Sequence, residues 1–144
     1  MTFEIRPTLF SSEDFAPLMR KVEPDGQFLL RLRDEWERGE TRFDRPGEFL
    51  LGAYQEGRLV ATAGVTHDPY DPAVGLGRVR HVFVLRACRG QGIGRALMTA
   101  IIDRARSGFA LLRLRTSNPE AARLYESLGF VPLEQPNETH RLVL

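Results

Sequence analysis

The chain has 144 residues, of which 42% are hydrophobic and 27% charged, and its formal net charge is +1. This length and composition predict one globular domain, residues 1–144. The near-neutral charge argues against a nucleic-acid-binding protein, and no apolar run approaches the ~20 residues that cross a bilayer. Cys88 is the single cysteine, which excludes an internal disulfide and a cluster of thiolate metal ligands. With no secretory signal pattern at the start, we expect a cytoplasmic protein without a metal.

Short elements are expected in the first third of the chain. Residues Phe3–Arg6 alternate in polarity and predict a strand that ends at Pro7. Two longer stretches follow, Ser12–Arg20 and Gln27–Gly39. The second has apolar residues at near-helical spacing and predicts a helix closed by its final glycine.

A hairpin is predicted next. The apolar runs Glu48–Gln55 and Arg58–Thr66 are joined by Glu56-Gly57, which is a turn signal between two strands. The prolines of Asp68–Pro72 break regular structure, and we expect Ala73–Gly77 to continue the same exposed loop.

The pattern is clearest in the second half of the chain. Val79–Leu85 predicts a strand, Arg89–Gly94 a glycine-rich turn and Ala110–Arg115 another strand. Apolar residues after the turn recur with the period of a helix, which ends at Ser107-Gly108. This apolar stripe consists of Ile93, Ala96, Leu97, Ala100 and Ile101.

A second helix with clear start and stop signals is predicted after that strand. Asn118 is a favourable N-cap, Pro119 suits the first helical turn, and Gly129 suits a left-handed residue at the C-terminus. Phe130-Val131 and Arg141–Leu144 predict closing strands. This order of elements predicts an α+β protein, with helices packed on a mixed, mostly antiparallel sheet.

The strand, glycine turn and helix are suited to binding a phosphate or pyrophosphate. Glycines let the backbone approach an anion, and the first N–H groups of a helix have no partner within it. Arg89 and Arg95 flank the turn and would add charge-assisted hydrogen bonds. The alternative is a plain glycine-rich turn with incidental arginines.

Two better-known phosphate-binding loops fit this turn less well. A P-loop needs a lysine, and the chain's single lysine is Lys21. A dinucleotide-binding turn needs the spacing G-x-G-x-x-G and an acidic residue about 20 positions further on. Here the three glycines are each two residues apart, and Arg113 and Arg115 lie downstream.

Two segments together resemble the GCN5-related N-acetyltransferase (GNAT) family. Val82–Leu97 is similar to motif A, with Arg89, Gly92 and Gly94 at the places of its Arg or Gln, its Gly and its Gly or Ala. Asn118–Phe130 is similar to motif B, in which Asn opens a helix, Tyr lies one turn before its end and Gly-Phe follows. The motifs occur in the family's order, with one helix and one strand between them.

The resemblance implies a three-layer acyl-CoA N-acyltransferase fold with an acetyl-CoA site between two splayed parallel strands, Val79–Leu85 and Ala110–Arg115. The pantetheine arm would bind the backbone of the first strand, and the pyrophosphate would bind the amides of the glycine turn. Asn118 would lie where the strands separate. The implied cofactor-binding residues are Phe83, Val84, Leu85, Arg89, Gly90, Gln91, Gly92, Ile93, Gly94, Arg95 and Asn118.

Acyl transfer from a thioester to an amine needs a neutral amine, a donor for the oxyanion and a proton for the departing thiolate. The resemblance implies that Tyr125 is the general acid. It also implies that the backbone N–H of Val84 or its neighbour is the oxyanion donor. The alternative for Tyr125 is a core aromatic residue whose hydroxyl is satisfied elsewhere.

The sequence does not identify a general base. The strand before the glycine turn has no carboxylate, so His81 is the nearest candidate, and Glu48 and His67 in the hairpin are weaker ones. Strand alternation places His81 on the face opposite Arg80, unless a bulge intervenes.

The acceptor is not identified by the sequence either. Arg78 and Arg80 favour an acceptor with a carboxylate or phosphate if their face meets the acceptor pocket. The alternative is a solvated or salt-bridged strand end. We expect an amine-bearing small molecule or peptide as partner, no nucleic acid and no membrane; homodimers are common in such proteins. A CoA-binding regulatory module and a nucleotide-binding enzyme are the alternative functions.

Overall fold

The computed structural model describes residues 2–10, 13–16 and 27–144, so most of the predicted stretch Ser12–Arg20 lies outside the described residues. The strands are β1 (Glu4–Pro7), β2 (Phe49–Gln55), β3 (Arg58–His67), β4 (Leu76–Val84), β5 (Leu111–Leu114), β6 (Val131–Gln135) and β7 (Glu138–Val143). The α-helices with complete bounds are α1 (Gln27–Glu37), α2 (Ile93–Ala105) and α3 (Pro119–Ser127).

The strands form one seven-stranded sheet in the order β1-β2-β3-β4-β5-β7-β6. The β4–β5 pair is parallel, and every other neighbouring pair is antiparallel. The predicted α+β class and the mixed, mostly antiparallel sheet are therefore confirmed.

The parallel pair is splayed. Its register extends only from Leu76 opposite Leu111 to Arg78 opposite Arg113, although β4 continues to Val84. On its other side, β5 remains paired with β7 along its whole length, through Leu114. The second half of β4 therefore has a backbone edge that β5 does not cover, as the predicted splayed pair requires.

The sheet is buried on both faces because successive side chains of a strand point to opposite sides. On β2, Leu51 and Ala53 join the cluster that contains the buried residues of α2, whereas Leu50 and Tyr54 join the cluster that contains Leu32 of α1. The result is the three-layer arrangement that the family resemblance implies.

The β2–β3 hairpin and helix α3 agree with the turn and capping residues that predicted them. Glu56 and Gly57 both have positive φ, 50° and 76°, the conformation of a tight hairpin turn. The Asn118 side chain accepts hydrogen bonds from the N–H groups of Glu120 and Ala121 at 2.9 and 3.4 Å. Gly129, which follows α3, has a positive φ of 104°, a conformation that glycine adopts readily.

Three predicted boundaries are wrong. The loop Ala73–Gly77 ends early, because its last residues already belong to β4 and pair with strands on both sides. Leu85 lies just beyond β4, before a short 3₁₀ turn at Arg86–Cys88. The closing strands are longer than predicted because the buried Glu138 begins β7, and a charged residue at a core position breaks the apolar pattern.

Candidate active site

The uncovered edge of β4 presents the backbone of Val84. The next residue, Leu85, donates its N–H to the carbonyl of Val60 in β3 at 2.9 Å. Because backbone groups alternate along an antiparallel strand, the N–H of Val84 points the other way, toward the side from which β5 has diverged. The carbonyl of Val84 accepts a hydrogen bond from Arg89 Nε at 3.0 Å. This geometry removes Leu85 as an oxyanion donor and leaves Val84 as the candidate.

The glycine turn fits a diphosphate. Gly92 is the N-cap of α2 with φ of 81° and no side-chain cap, and the first helical hydrogen bond is from Ala96 N–H to the Gly92 carbonyl. The preceding N–H groups of the first turn therefore have no partner inside the helix. Apart from the glycine itself and its two chain neighbours, no residue has a heavy atom within 4 Å of a Cβ built at Gly90 or Gly92. An anion can reach these amides, which is what the pyrophosphate of acetyl-CoA requires.

The side chains of the glycine turn make hydrogen bonds to other parts of the protein. Arg95 donates to Ser127 Oγ at 2.9 Å and so joins α2 to the end of α3. Gln91 Oε1 accepts a hydrogen bond from Gln55 Nε2 at 2.6 Å. These contacts, like that of Arg89 with the Val84 carbonyl, are within the chain. The structure thus presents backbone amides, more than arginine side chains, to a phosphate.

A cavity of about 320 Å³ opens where β4 and β5 separate. Helix α1, the loop after β3, the middle of β4 and the segment after β5 all contribute to it. Its lining residues are Arg31, Tyr70, Arg78, Val79, Arg80, His81, Arg115 and Ser117. The structure therefore brings the candidate base His81 into one cavity with the two arginines of its strand.

A β-bulge at His81 explains how the neighbouring residues Arg80 and His81 both line this cavity. Arg80 lies opposite Gly64 and Phe83 lies opposite Thr62, so three steps along β4 match two along β3. His81 has φ of 56°, and its carbonyl accepts a hydrogen bond from the Thr62 hydroxyl at 2.9 Å. Simple strand alternation, which separates Arg80 from His81, is therefore wrong here.

Glu35 of α1 is the residue that the sequence reasoning missed. Arg80 Nη2 donates to its two carboxylate oxygens at 2.5 and 3.2 Å. His81 Nε2 lies 3.0 Å from Glu35 Oε2, so the ring is in direct contact with the carboxylate. The available signal was a carboxylate on the apolar stripe of α1, next to Trp36 and one turn from Leu32.

The pKa values of both Glu35 and His81 are lowered in the folded protein. Burial raises the pKa of Glu35, but His81 and the Arg80 guanidinium outweigh it and lower the value from 4.5 to about 2. Burial lowers the pKa of His81 below 6.5 despite the nearby Glu35 carboxylate. Near neutral pH, His81 is therefore uncharged and able to accept a proton.

Tyr125 lies in α3 with 6% of its surface exposed. Its ring packs against Phe130 and His140, with centroid distances of 5.8 and 6.3 Å. Burial raises the pKa of its phenol to about 12. No hydrogen bond joins the hydroxyl to another described residue, so the alternative of a hydroxyl satisfied by another protein group finds no support there.

The weaker base candidates lie outside this cavity. Glu48 accepts hydrogen bonds from the backbone N–H groups of His67 and Arg45, at 2.9 and 3.2 Å. The His67 ring nitrogen Nε2 lies 2.7 Å from the Pro46 carbonyl. These contacts hold the loop before β2 against the end of β3, which is a structural role.

Two absences hold for residues 2–10, 13–16 and 27–144. These residues contain no cluster of three or more His, Cys, Asp or Glu side chains that could hold a metal ion. None of their helices is long and apolar enough to cross a membrane.

The chain is similar to known acetyltransferases. The acetyltransferase (GNAT) family profile matches residues 10–130. The N-alpha-acetyltransferase RimI of Mycobacterium tuberculosis is 32% identical over 134 residues, which cover 90% of this chain and 82% of that protein. A candidate acetyltransferase from Exiguobacterium sp. 255-15 is similar in structure, with a TM-score of 0.82, 28% identity and coverage of 99% and 94% of the two chains.

A phosphinothricin acetyltransferase from Sinorhizobium meliloti, solved in complex with AcCoA, shares the fold. Its TM-score is 0.72 at 17% identity, with 100% of this chain and 89% of that chain covered. The chain belongs to the GNAT family and is an acetyl-CoA-dependent acyltransferase.

The glycine turn gives a first testable prediction. Replacing Gly92 by alanine should weaken acetyl-CoA binding roughly tenfold, because the added Cβ would occupy the approach to the amides. Its φ of 81° also imposes a backbone cost of about 1 kcal/mol on any L-residue.

Gly57→Ala is the matched control. Gly57 has φ of 76° and equally open surroundings, but it lies in the hairpin turn. Calorimetric titration should give an unchanged dissociation constant for this variant, while both variants lose similar thermal stability. Equal coenzyme affinity in the wild type and both variants would contradict the assignment of the turn.

Proposed function

We propose that this protein transfers the acetyl group of acetyl-CoA directly to a primary amine of a small molecule or peptide in a ternary complex. The observation that carries the proposal is the cavity at the β4–β5 separation. It contains His81, and the N–H of Val84 lies further along the same uncovered edge. An amine in this cavity would meet an acyl group held along β4.

Each part of the reaction has a candidate residue in this chain. Acetyl-CoA supplies the acyl group as a thioester. The amides at the start of α2 would hold its diphosphate, and Asn118 would lie where the strands separate. The Val84 N–H would donate to the developing oxyanion, His81 would accept the proton of the amine, and Tyr125 would donate a proton to the departing sulfur.

The RimI relative is named as an N-alpha-acetyltransferase, which supports an α-amine as one class of acceptor. We further propose that residues 1–144 act as one catalytic unit in the cytoplasm. The single cysteine, Cys88, is compatible with a reducing compartment.

The role of His81 predicts the pH dependence of the rate. Because the pKa of His81 is below 6.5, the proton-accepting form dominates at and above that pH and is lost as the pH falls further. We expect kcat, measured with the acceptor at saturating concentration, to reach a plateau above pH 6.5 and to decline below it. His81→Ala should abolish that decline and lower the plateau about 100-fold.

His67→Ala is the control, since His67 lies outside the cavity. It should keep the acid limb of the wild-type profile. An acid limb that persists in His81→Ala would assign the proton acceptor to another group.

The proposed function is tested by coenzyme binding and thiol release together. Acetyl-CoA or CoA at about 100 times its dissociation constant should stabilise the fold by roughly 2.7 kcal/mol, while ATP and NAD should have no effect. A panel of primary amines should then release free CoA from acetyl-CoA. CoA binding without release on any amine would favour a regulatory module, and stabilisation by ATP or NAD alone would contradict the proposal.

A further inference from the structure

The cavity at the β4–β5 separation has a positive lining. Four of its eight lining residues are arginines: Arg31, Arg78, Arg80 and Arg115. No aspartate or glutamate is among the eight. Whether this charge is available to a ligand depends on how each arginine is paired inside the protein.

Two of the four arginines are held by partners inside the protein. Arg78 Nη2 donates to the carbonyl of Asn137 at 2.7 Å, and Nη1 lies 3.5 Å from the fully buried carboxylate of Asp68. Arg80 is held by Glu35 and by the hydroxyl of Thr41, the latter at 3.3 Å. For Arg78 and Arg80, the salt-bridged alternative from the sequence is therefore correct.

The other two arginines are less fully paired than Arg78 and Arg80. Arg115 follows β5, is exposed, and has no ion pair or hydrogen bond within the described part of the chain. Arg31, on α1, is 61% exposed in its side chain, and its contact with Glu35 is long, at 3.9 Å. The Glu35 carboxylate is already engaged by Arg80 and His81.

The two exposed guanidinium groups come from separate elements and line the same cavity as His81. Tyr70 and Ser117 add neutral hydroxyl groups to that lining. A guanidinium binds a carboxylate through two parallel hydrogen bonds, and a second cation in the same cavity would be repelled. A volume of about 320 Å³ suits an amino acid or the first residues of a peptide.

We propose that the acceptor carries a carboxylate in addition to its amine, and that Arg115, assisted by Arg31, binds that carboxylate while the amine lies toward His81. This inference rests on the proposed function, because it names the class of acceptor for the same site. It assigns acceptor selection to the segment after β5, outside both family motifs.

The first test compares acceptors that differ only in charge. The set is Ala-Glu-amide, its neutral isostere Ala-Gln-amide and the cationic Ala-Lys-amide, with acetylation counted at the alanine amine by mass spectrometry and with free glutamate and glutamine as a second arm. We expect kcat/KM for the acidic dipeptide to exceed that for the neutral one at least tenfold, and the lysyl peptide to be poorest. The free amino acids show whether the acceptor is a metabolite or a peptide end.

Calorimetric titration of the same compounds into the CoA-bound protein separates this inference from the proposed function. Selective binding of acidic compounds without acetyl transfer would contradict the proposed function but uphold the carboxylate site. Acetyl transfer with equal kcat/KM for the three peptides would uphold the function and overturn the site.

The second test changes the arginine. Arg115→Gln should lower kcat/KM for Ala-Glu-amide at least tenfold, mainly through KM, and change it less than twofold for Ala-Gln-amide. Arg115→Glu should reverse the preference toward Ala-Lys-amide. Arg58→Gln, an exposed arginine in the β2–β3 hairpin, is the matched control and should change neither. Equal losses on acidic and neutral acceptors in Arg115→Gln would overturn the proposal.

Discussion

Tyr125→Phe is expected to lower kcat about 100-fold or more while leaving the dissociation constant of acetyl-CoA almost unchanged. The substitution removes only the hydroxyl, and the ring keeps its contacts with Phe130 and His140. Because burial holds the phenol pKa at about 12, the hydroxyl stays protonated across the working range and serves as a donor. Stopped-flow or steady-state thiol release measures the rate, and calorimetric titration measures the affinity.

Tyr54→Phe is the matched control for this prediction. Tyr54 is also buried, but its hydroxyl makes hydrogen bonds to Thr8 Oγ1 and Asp14 Oδ2 at 3.0 and 3.1 Å. This variant should lose about 1 kcal/mol of stability and keep its kcat. For Tyr125→Phe we expect the reverse, since no hydrogen bond joins its hydroxyl to another described residue. An unchanged kcat in Tyr125→Phe would remove the acid assignment.

Glu35→Gln is expected to be the most destabilising of the substitutions considered, by about 3 kcal/mol at pH 7. The change removes the charge that balances Arg80 and leaves that guanidinium, 14% exposed in its side chain, without a carboxylate. The arrangement of Arg80 and His81 in the cavity depends on the same carboxylate, so kcat/KM should fall as well. Urea unfolding of the two proteins measures the difference in the free energy of unfolding.

The pH dependence of that difference has a definite sign. Glu35 has a pKa of about 2 in the folded protein, below the ordinary 4.5. Its contribution to stability is therefore complete above about pH 4.5 and is lost as the pH falls toward 2. The wild type and Glu35→Gln should accordingly converge in stability over that range.

Glu37→Gln supplies the control on the same helix. Glu37 is exposed at the end of α1, and its replacement should change stability by less than about 0.5 kcal/mol. Equal stability of Glu35→Gln and Glu37→Gln at pH 7 would show that the buried ion pair contributes nothing.

Features encoded by neighbouring residues were predictable from the sequence. The N-cap at Asn118, the turn at Glu56-Gly57 and the glycine turn before α2 all depend on contacts within a few positions. The two motifs that carry the family resemblance, and with them Tyr125, lie in this local part of the chain. The sequence was less reliable where pairing between strands decided the structure, as at the start of β4.

The acceptor side of the site could not be predicted in the same way. Arg80 and Glu35 are 45 positions apart, and a bulge in β4 reverses the face that simple alternation assigns to His81. The pairing state of each cavity arginine likewise depends on residues from other elements, such as Asp68 for Arg78.

The family, the candidate coenzyme-binding turn and the candidate acid could be predicted from the sequence alone, because caps, glycines and helical periodicity act over short distances along the chain. Which arginines are paired inside the protein, and which remain available in the cavity, became clear from the three-dimensional arrangement. The physical reason is that burial and ion pairing depend on distances in space between α1, β4 and the segment after β5. The paired Arg78 and Arg80 lie within β4, and the available Arg115 follows β5 directly; no pattern along the chain distinguishes paired from available arginines.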